Sequence, residues 1–234
     1  MVVLMVALAS SGYAQNTVPP LPPPRPDRPA VSQPADEESK APPTEAGAEQ
    51  KAPDEDGADA ACLERLTRLG IRFEIRPPVQ DNACHIQSPV LVSALPNGVE
   101  VSPASLMACP VAEGLARWVS DVVVPEADRL FQSAPTKLLI GTSYQCRDQR
   151  SGGKLSEHAF GNGVDVMGFE FAQRSALAID THAEGSPEAA FQATVQKEAC
   201  PIFSTVLGPG SDAAHGDHLH LDMRVRKANY RICQ

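Results

Sequence analysis

The sequence predicts an α+β domain, a small and mostly antiparallel sheet with flanking helices, placed behind a long segment that builds no core. Three observations lead there. From Ala61 onward, stretches that alternate apolar and polar residues are interspersed with stretches whose apolar residues recur at helical spacing. The two kinds follow no regular strand–helix–strand order, which argues against a parallel α/β sheet. Residues 15–60, by contrast, carry almost no large apolar side chain.

The first stretch, "MVVLMVALASSGYA" (residues 1–14), has the apolar core and small-residue end of a secretory leader, with Gly12 and Ala14 beside the cleavage point. No basic segment precedes that core. A buried first strand or helix is the poorer reading, because the proline-rich run that follows would not pack it. The stretch is too short to span a bilayer. The protein is therefore expected in the periplasm or secreted, with no stable membrane insertion after cleavage.

Residues 15–60 run through "TVPPLPPPRPDRPA" and "ADEESKAPPTEAGAEQKAPDEDGADA". They read as a disordered linker, stiff where prolines cluster, spanning on the order of 40 Å as a coil. "PPLPPPRP" can also suit a proline-reading partner; a spacer is the plainer reading.

Residues 61–234 form the expected domain. "ACLERLTRLG" has helical periodicity and stops at Gly70. "IRFEIR" and "ACHIQSPVLVSAL" alternate as strands do. "SPASLMACPVAEGLARWVSDVVVPEADRLF" predicts mostly helix, with Pro110 and Pro125 as starts or kinks. "TKLLIGTSY" and "GVDVMGFEF" predict apolar strands. "SPEAAFQATVQKEACPIFSTVLG" predicts a helix with Ser186 as N-cap, Pro187 in its first turn and a stop at Gly208. "HLHLDMRVR" predicts the strand that closes the sheet.

A net charge of −9 argues against nucleic acid as a partner. Six cysteines, an even number, suit an oxidising compartment. None lies in a Cys-x-x-Cys pair, so disulfides are preferred to a thiolate zinc site. Their pairing is open.

Two motifs carry chemistry. On a strand through "HLHLDMRV", His218, His220 and Asp222 share one face, and Leu219, Leu221 and Met223 share the other. Side chains two apart start about 7 Å from each other, so one histidine can bind a metal while the other stands near the open position. In "SEHAFGNGVDV", Gly161 and Gly163 let the chain fold back, so that His158 and Asp165 can meet. Two imidazoles and a carboxylate with one open position form the ligand set of a catalytic zinc ion.

"SEHAFGNGVDV" followed by "HGDHLHLD" resembles the zinc peptidase superfamily that includes D-alanyl-D-alanine peptidases, lysostaphin-type endopeptidases and Hedgehog domains. Within it, residues 62–234 are most similar to the bacterial extensin-like C-terminal family. The resemblance implies that His158, Asp165 and His220 bind Zn2+ and that His218 is the general base or steadies the transition state. Asp217, three residues before the last zinc histidine, is the alternative base; His215 is an alternative ligand, although Gly216 makes its segment look like a turn. "GTSYQCRDQR" resembles the segment that carries a substrate-binding arginine, which makes Arg147 a candidate for a substrate carboxylate. Ser156 can bond substrate or cap the turn, and Asp222 can orient a metal-bound histidine. His85 and His182 have no partner in sequence and read as structural or surface residues. The implied activity is cleavage of peptidoglycan peptides, with D-alanyl crosslinks as the favoured target. A D,D-carboxypeptidase and a zinc-containing wall-binding module without turnover are the alternatives.

Overall fold

A computed structural model describes residues 55–149 and 152–234. The expected leader, and the linker as far as residue 54, lie outside the described residues. Helix α1 spans Glu55–Arg68, starting within the last residues of the expected linker, and ends at Gly70, whose φ of +76° is the left-handed stop. Strand β1 (Arg72–Ile75) precedes a separate hairpin of β2 (Val79–Asp81) and β3 (Cys84–Ile86). Then come β4 (Pro89–Ala94) and β5 (Glu100–Ala108).

Helix α2 (Cys109–Trp118) and helix α3 (Val124–Phe131) are joined through a π-helical turn at Val119–Val123. Each helix carries its proline, Pro110 or Pro125, in the first turn, where a missing N–H costs nothing. Strands β6 (Pro135–Ile140), β7 (Gly163–Phe171) and β8 (Leu177–Ala178) follow. Helix α4 (Pro187–Ala199) is capped by Ser186, whose Oγ accepts from Ala189 N at 3.1 Å. The chain closes with β9 (Thr205–Leu207), β10 (Leu219–Asp222) and β11 (Ile232–Cys233).

The α+β class holds, but the sheet is larger than expected and mixed. Its nine strands run β1-β4-β5-β6-β7-β10-β9-β11, with β8 paired to β7. All neighbours are antiparallel except β5–β6 and β9–β11. Two other expectations change. Ser102–Ala108 belong to β5 rather than to a helix, because Pro103 disfavours helix at Ser102 and β4 and β6 take up the strand's backbone groups. Pro103 falls where the β4–β5 register slips, which is where a strand tolerates proline. Helix α4 ends at Ala199 rather than Gly208, since Pro201 cannot continue it and Thr205–Leu207 pair as β9.

One apolar core unites the helices with one face of the sheet, including Leu115 and Trp118 of α2, Val164, Val166 and Phe169 of β7, Phe191 of α4, and Leu219 and Leu221 of β10. The indole N–H of Trp118 donates to Val195 O at 2.9 Å, tying α2 to α4. Disulfides join Cys62 to Cys109, Cys84 to Cys146 and Cys200 to Cys233, which suits an oxidising compartment. No helix among the described residues is long and apolar enough to cross a membrane.

The core positions the site. Burying each of Leu219 and Leu221 stabilises the fold by about 1.5–3 kcal/mol. A one-residue slip of β10 would turn both leucines outward and both site residues inward. That cost fixes the register in which His220 lies opposite Asp165.

Candidate metal centre

His220 and Asp165 form a directly opposed pair on β10 and β7, on the sheet face away from the helices. Opposed positions place their Cβ atoms about 4.5–5.5 Å apart, close enough for the side chains to touch. The third member comes from the 3-10 turn Glu157–Phe160, which enters β7 through Gly161 and Asn162. Ser156 caps this turn by accepting from His158 N at 3.4 Å. Gly161 takes φ +60°, and a Cβ there would run into the Ile86 side chain. A Cβ on Gly163 would lie 3.3 Å from His220 Cε1, so that glycine leaves room for the imidazole.

His158 is buried, at 1% exposure, and its Nδ1–H donates to Ser143 O at 2.7 Å. That bond leaves Nε2 as the lone-pair nitrogen, aimed at the other two residues. His158 Nε2 lies 3.2 Å from His220 Nδ1 and 3.2 Å from Asp165 Oδ1. His220 Nδ1 lies 2.9 Å from Asp165 Oδ1. Three donor atoms bound to a tetrahedral zinc at about 2.0–2.1 Å stand about 3.3 Å apart. The trio fits such an ion, and among the described residues it is the group of three able to hold one.

The far side of His220 is also held. Its Nε2–H donates to Asp222 Oδ2 at 3.2 Å, while Asp222 Oδ1 accepts from Thr205 Oγ1 at 2.6 Å and Arg224 N at 3.0 Å. A carboxylate behind a ligand histidine fixes its tautomer and raises its basicity. Burial lowers the pKa of His220, but bonds to Asp165 and Asp222 outweigh it and push it up to about 9. Burial likewise raises the Asp165 carboxyl, and the bonds from His158 and His220 hold it well below the carboxylate range. Both directions follow from packing carboxylates against imidazoles, a charge balance that a divalent cation also satisfies.

The trio lies in a cavity of about 430 Å³. His218 lines it, with Nε2 3.8 Å from Asp165 Oδ1 and Nδ1 2.8 Å from Asp217 Oδ1. A strand that continued back through "DHLHLD" would put Asp217 on the face opposite His218; instead the two side chains lie together. The reason is that β10 starts only at Leu219, so a period of two does not extend back to Asp217. The Asp217 side chain is 77% exposed and does not line the cavity. His215 does line it; its Nδ1 is held by Asp212 at 2.8 Å, and its ring centre is 5.8 Å from that of His220.

Arg147 and Ser156 also line the cavity. Arg147 Nε donates to Gln145 Oε1 at 2.9 Å. His85 packs edge-on to Phe160, and His182 donates to Ala178 O, both away from the trio. Reading the sequence missed Arg224 and Arg226, which line the cavity as well. The signal was present: both continue the even-numbered series of His218, His220 and Asp222. A larger cavity, about 980 Å³ between α4 and the C-terminus, holds none of these groups.

The chain matches the family model described as extensin-like protein C-terminus over residues 60–234. No curated protein and no solved structure matches the chain.

Proposed function

This chain belongs to the extensin-like C-terminal family, and on that premise we propose that it is a zinc-dependent peptidase of bacterial cell-wall peptides. Its favoured activity is endopeptidase cleavage of D-alanyl crosslinks in peptidoglycan, in the periplasm or outside the cell. The observation that carries the reading is the convergence of His158 Nε2, Asp165 Oδ1 and His220 Nδ1 to within 3.2 Å of one another. This is the donor set of the D-alanyl-D-alanine peptidase, lysostaphin-type and Hedgehog superfamily, to which we assign the domain.

His158, Asp165 and His220 would hold a zinc ion, which when bound would act as a Lewis acid for the scissile carbonyl and acidify water at the site. The chain's own residues do the rest. Asp217 fixes His218 through Nδ1, so Nε2 faces the cavity and takes the proton of the attacking oxygen. Asp222 and Thr205 hold the His220 ring in place. Ser156 serves by capping the metal loop. Arg147 offers its guanidinium from the cavity wall to a substrate carboxylate. That arginine is also what favours the second reading, a D,D-carboxypeptidase, which must recognise a free C-terminus.

The test is incubation of purified crosslinked muropeptides with protein and zinc, with products read by mass. Monomeric stems ending at the former crosslink are expected. Loss of only the terminal D-alanine from uncrosslinked stems selects the carboxypeptidase. Binding without any product selects a wall-binding module.

A further inference from the structure

We propose that Arg226 forms a second carboxylate subsite, across the metal trio from Arg147, so that preferred substrates carry a free carboxylate on the β9 side of the bond that is cut. This names the substrate class of the site and rests on the peptidase reading above.

The argument begins with charge. Three guanidinium groups line the cavity of a chain whose net charge is −9. Their partners differ. Arg224 Nε stands 3.6 Å from Glu157 Oε1, an ion pair that spends its charge locally. Arg226 donates only to neutral oxygens, Ser204 O at 3.0 Å and Thr205 Oγ1 at 2.7 Å. Arg147 likewise donates to Gln145 Oε1 and to Asp148 O. Neither Arg226 nor Arg147 has an ion-pair partner among the described residues.

The carboxylates in the wall are otherwise engaged. Asp222 serves His220, Asp212 serves His215, and Glu157 accepts from Asn162 as well as facing Arg224. Two cations in a concave, partly shielded wall thus stand without a direct ion-pair partner among the described residues, Asp222 reaching Arg226 only through the Thr205 hydroxyl. Such a guanidinium gains most from an anion that enters.

Geometry places the two on opposite flanks. Asp165 on β7 lies opposite His220 on β10, and the neighbouring row runs from Gly163 on β7 through Asp222 on β10 to Thr205 on β9. Arg226 is anchored at Thr205, on the β9 side of the trio and one row along from it. Arg147 is held on the β7 side, where its carbonyl accepts from Ser156 N beside the His158 turn. A peptide laid across the trio therefore meets one arginine on each side.

The Arg226 group is also prepared for its ligand. Two of its five N–H donors hold the guanidinium in place, and the other three have no partner among the described residues. Little side-chain freedom remains to be lost when a carboxylate docks.

The experiment uses the zinc-loaded full chain carrying His218→Ala, to slow turnover, and C-terminally amidated D-alanyl-D-alanine peptides. Peptide pairs differ only in glutamate against glutamine, placed at each flanking position in turn, and affinity is read by calorimetry. At one flank the acid should bind about tenfold or more tighter than its amide, the usual weight of a charged hydrogen bond. Adding Arg226→Gln should erase that preference, Arg226→Lys should keep part of it, and Arg147→Gln should leave it standing. Zinc content and melting temperature confirm that each variant is folded; if Arg226→Gln is not, Arg226→Lys and the acid–amide ratio of the Arg226 parent decide. Equal affinity for acids and amides at every position overturns the subsite, as does full discrimination in folded Arg226→Gln. Cleavage by the chain with His218 intact is scored separately on the same peptides. Discrimination without cleavage removes the peptidase reading and keeps the subsite, and cleavage without discrimination does the reverse.

Discussion

At the scale of single residues, reach into the trio distinguishes the two histidines of "HLH". His220 reaches the trio through Nδ1, and His218 lines the cavity without joining it. Their replacements should therefore fail differently. His220→Ala should lose both zinc and activity, because one of three donors is gone. His218→Ala should keep zinc but lose about a hundredfold or more in turnover, as expected for a general base. Asp217→Ala should keep zinc and lose less, because it acts on His218 Nδ1 and not on substrate. Zinc content and muropeptide cleavage measured together on the three variants check this; parent-rate cleavage by His218→Ala would reverse the assignment. The trio itself was legible, since His158, Asp165 and His220 follow from motif spacing and the superfamily resemblance. The Asp217–His218 contact was not, because it depends on where the strand begins, and nothing in "GDHLHLD" marks Leu219 as that point.

At the scale of elements, the 3-10 turn is the least forgiving part of the site. Ala108 N donates to Gly161 O at 2.8 Å, and Gln145 N donates to His158 O at 3.2 Å, so the turn is pinned from two sides. Gly161→Ala combines a left-handed backbone with a Cβ driven into Ile86. It should cost about 1–3 kcal/mol of stability and weaken zinc binding, since His158 rides on the same turn. Thermal melts and zinc titration read both effects, and a variant with parent stability and affinity would show the turn to be loose. Strand β7 was legible in full from "GVDVMGFEF" because it is a long apolar run, although its core residues shift phase from Val164 and Val166 to Phe169 and Phe171 where the β6 register slips. Strands β8 and β11, of two residues each, were not, because pairs that short exist only through the strand beside them. The β5 stretch was read as helix because Ser102–Ala108 run into the true helix α2 without a polar break.

At the scale of the whole molecule, the candidate metal trio and the apolar core with its helices lie on opposite faces of one sheet. Three disulfides add constraints that do not involve the site residues, and the described domain has no free cysteine. Thiol titration of the denatured, unreduced protein should accordingly find none of the six cysteines reactive. Removing zinc with a chelator should then lower stability without unfolding the chain, unlike small domains that collapse when their metal is withdrawn. Metal held at about a thousand times its dissociation constant adds about 4 kcal/mol through mass action. In a domain of this size that shifts the melting temperature by roughly 10 °C. Reduction of the disulfides should act in addition to the chelator, each bond being worth about 2–4 kcal/mol, because it releases constraints on the unfolded chain rather than on the site. Melts of the loaded, chelated, reduced, and chelated and reduced protein, followed by far-ultraviolet circular dichroism, separate the two contributions. Unfolding by chelator alone at 25 °C would mean that the trio, and not the helical side of the sheet, holds the domain together. An unchanged melting temperature after chelation would mean that no ion had been bound there.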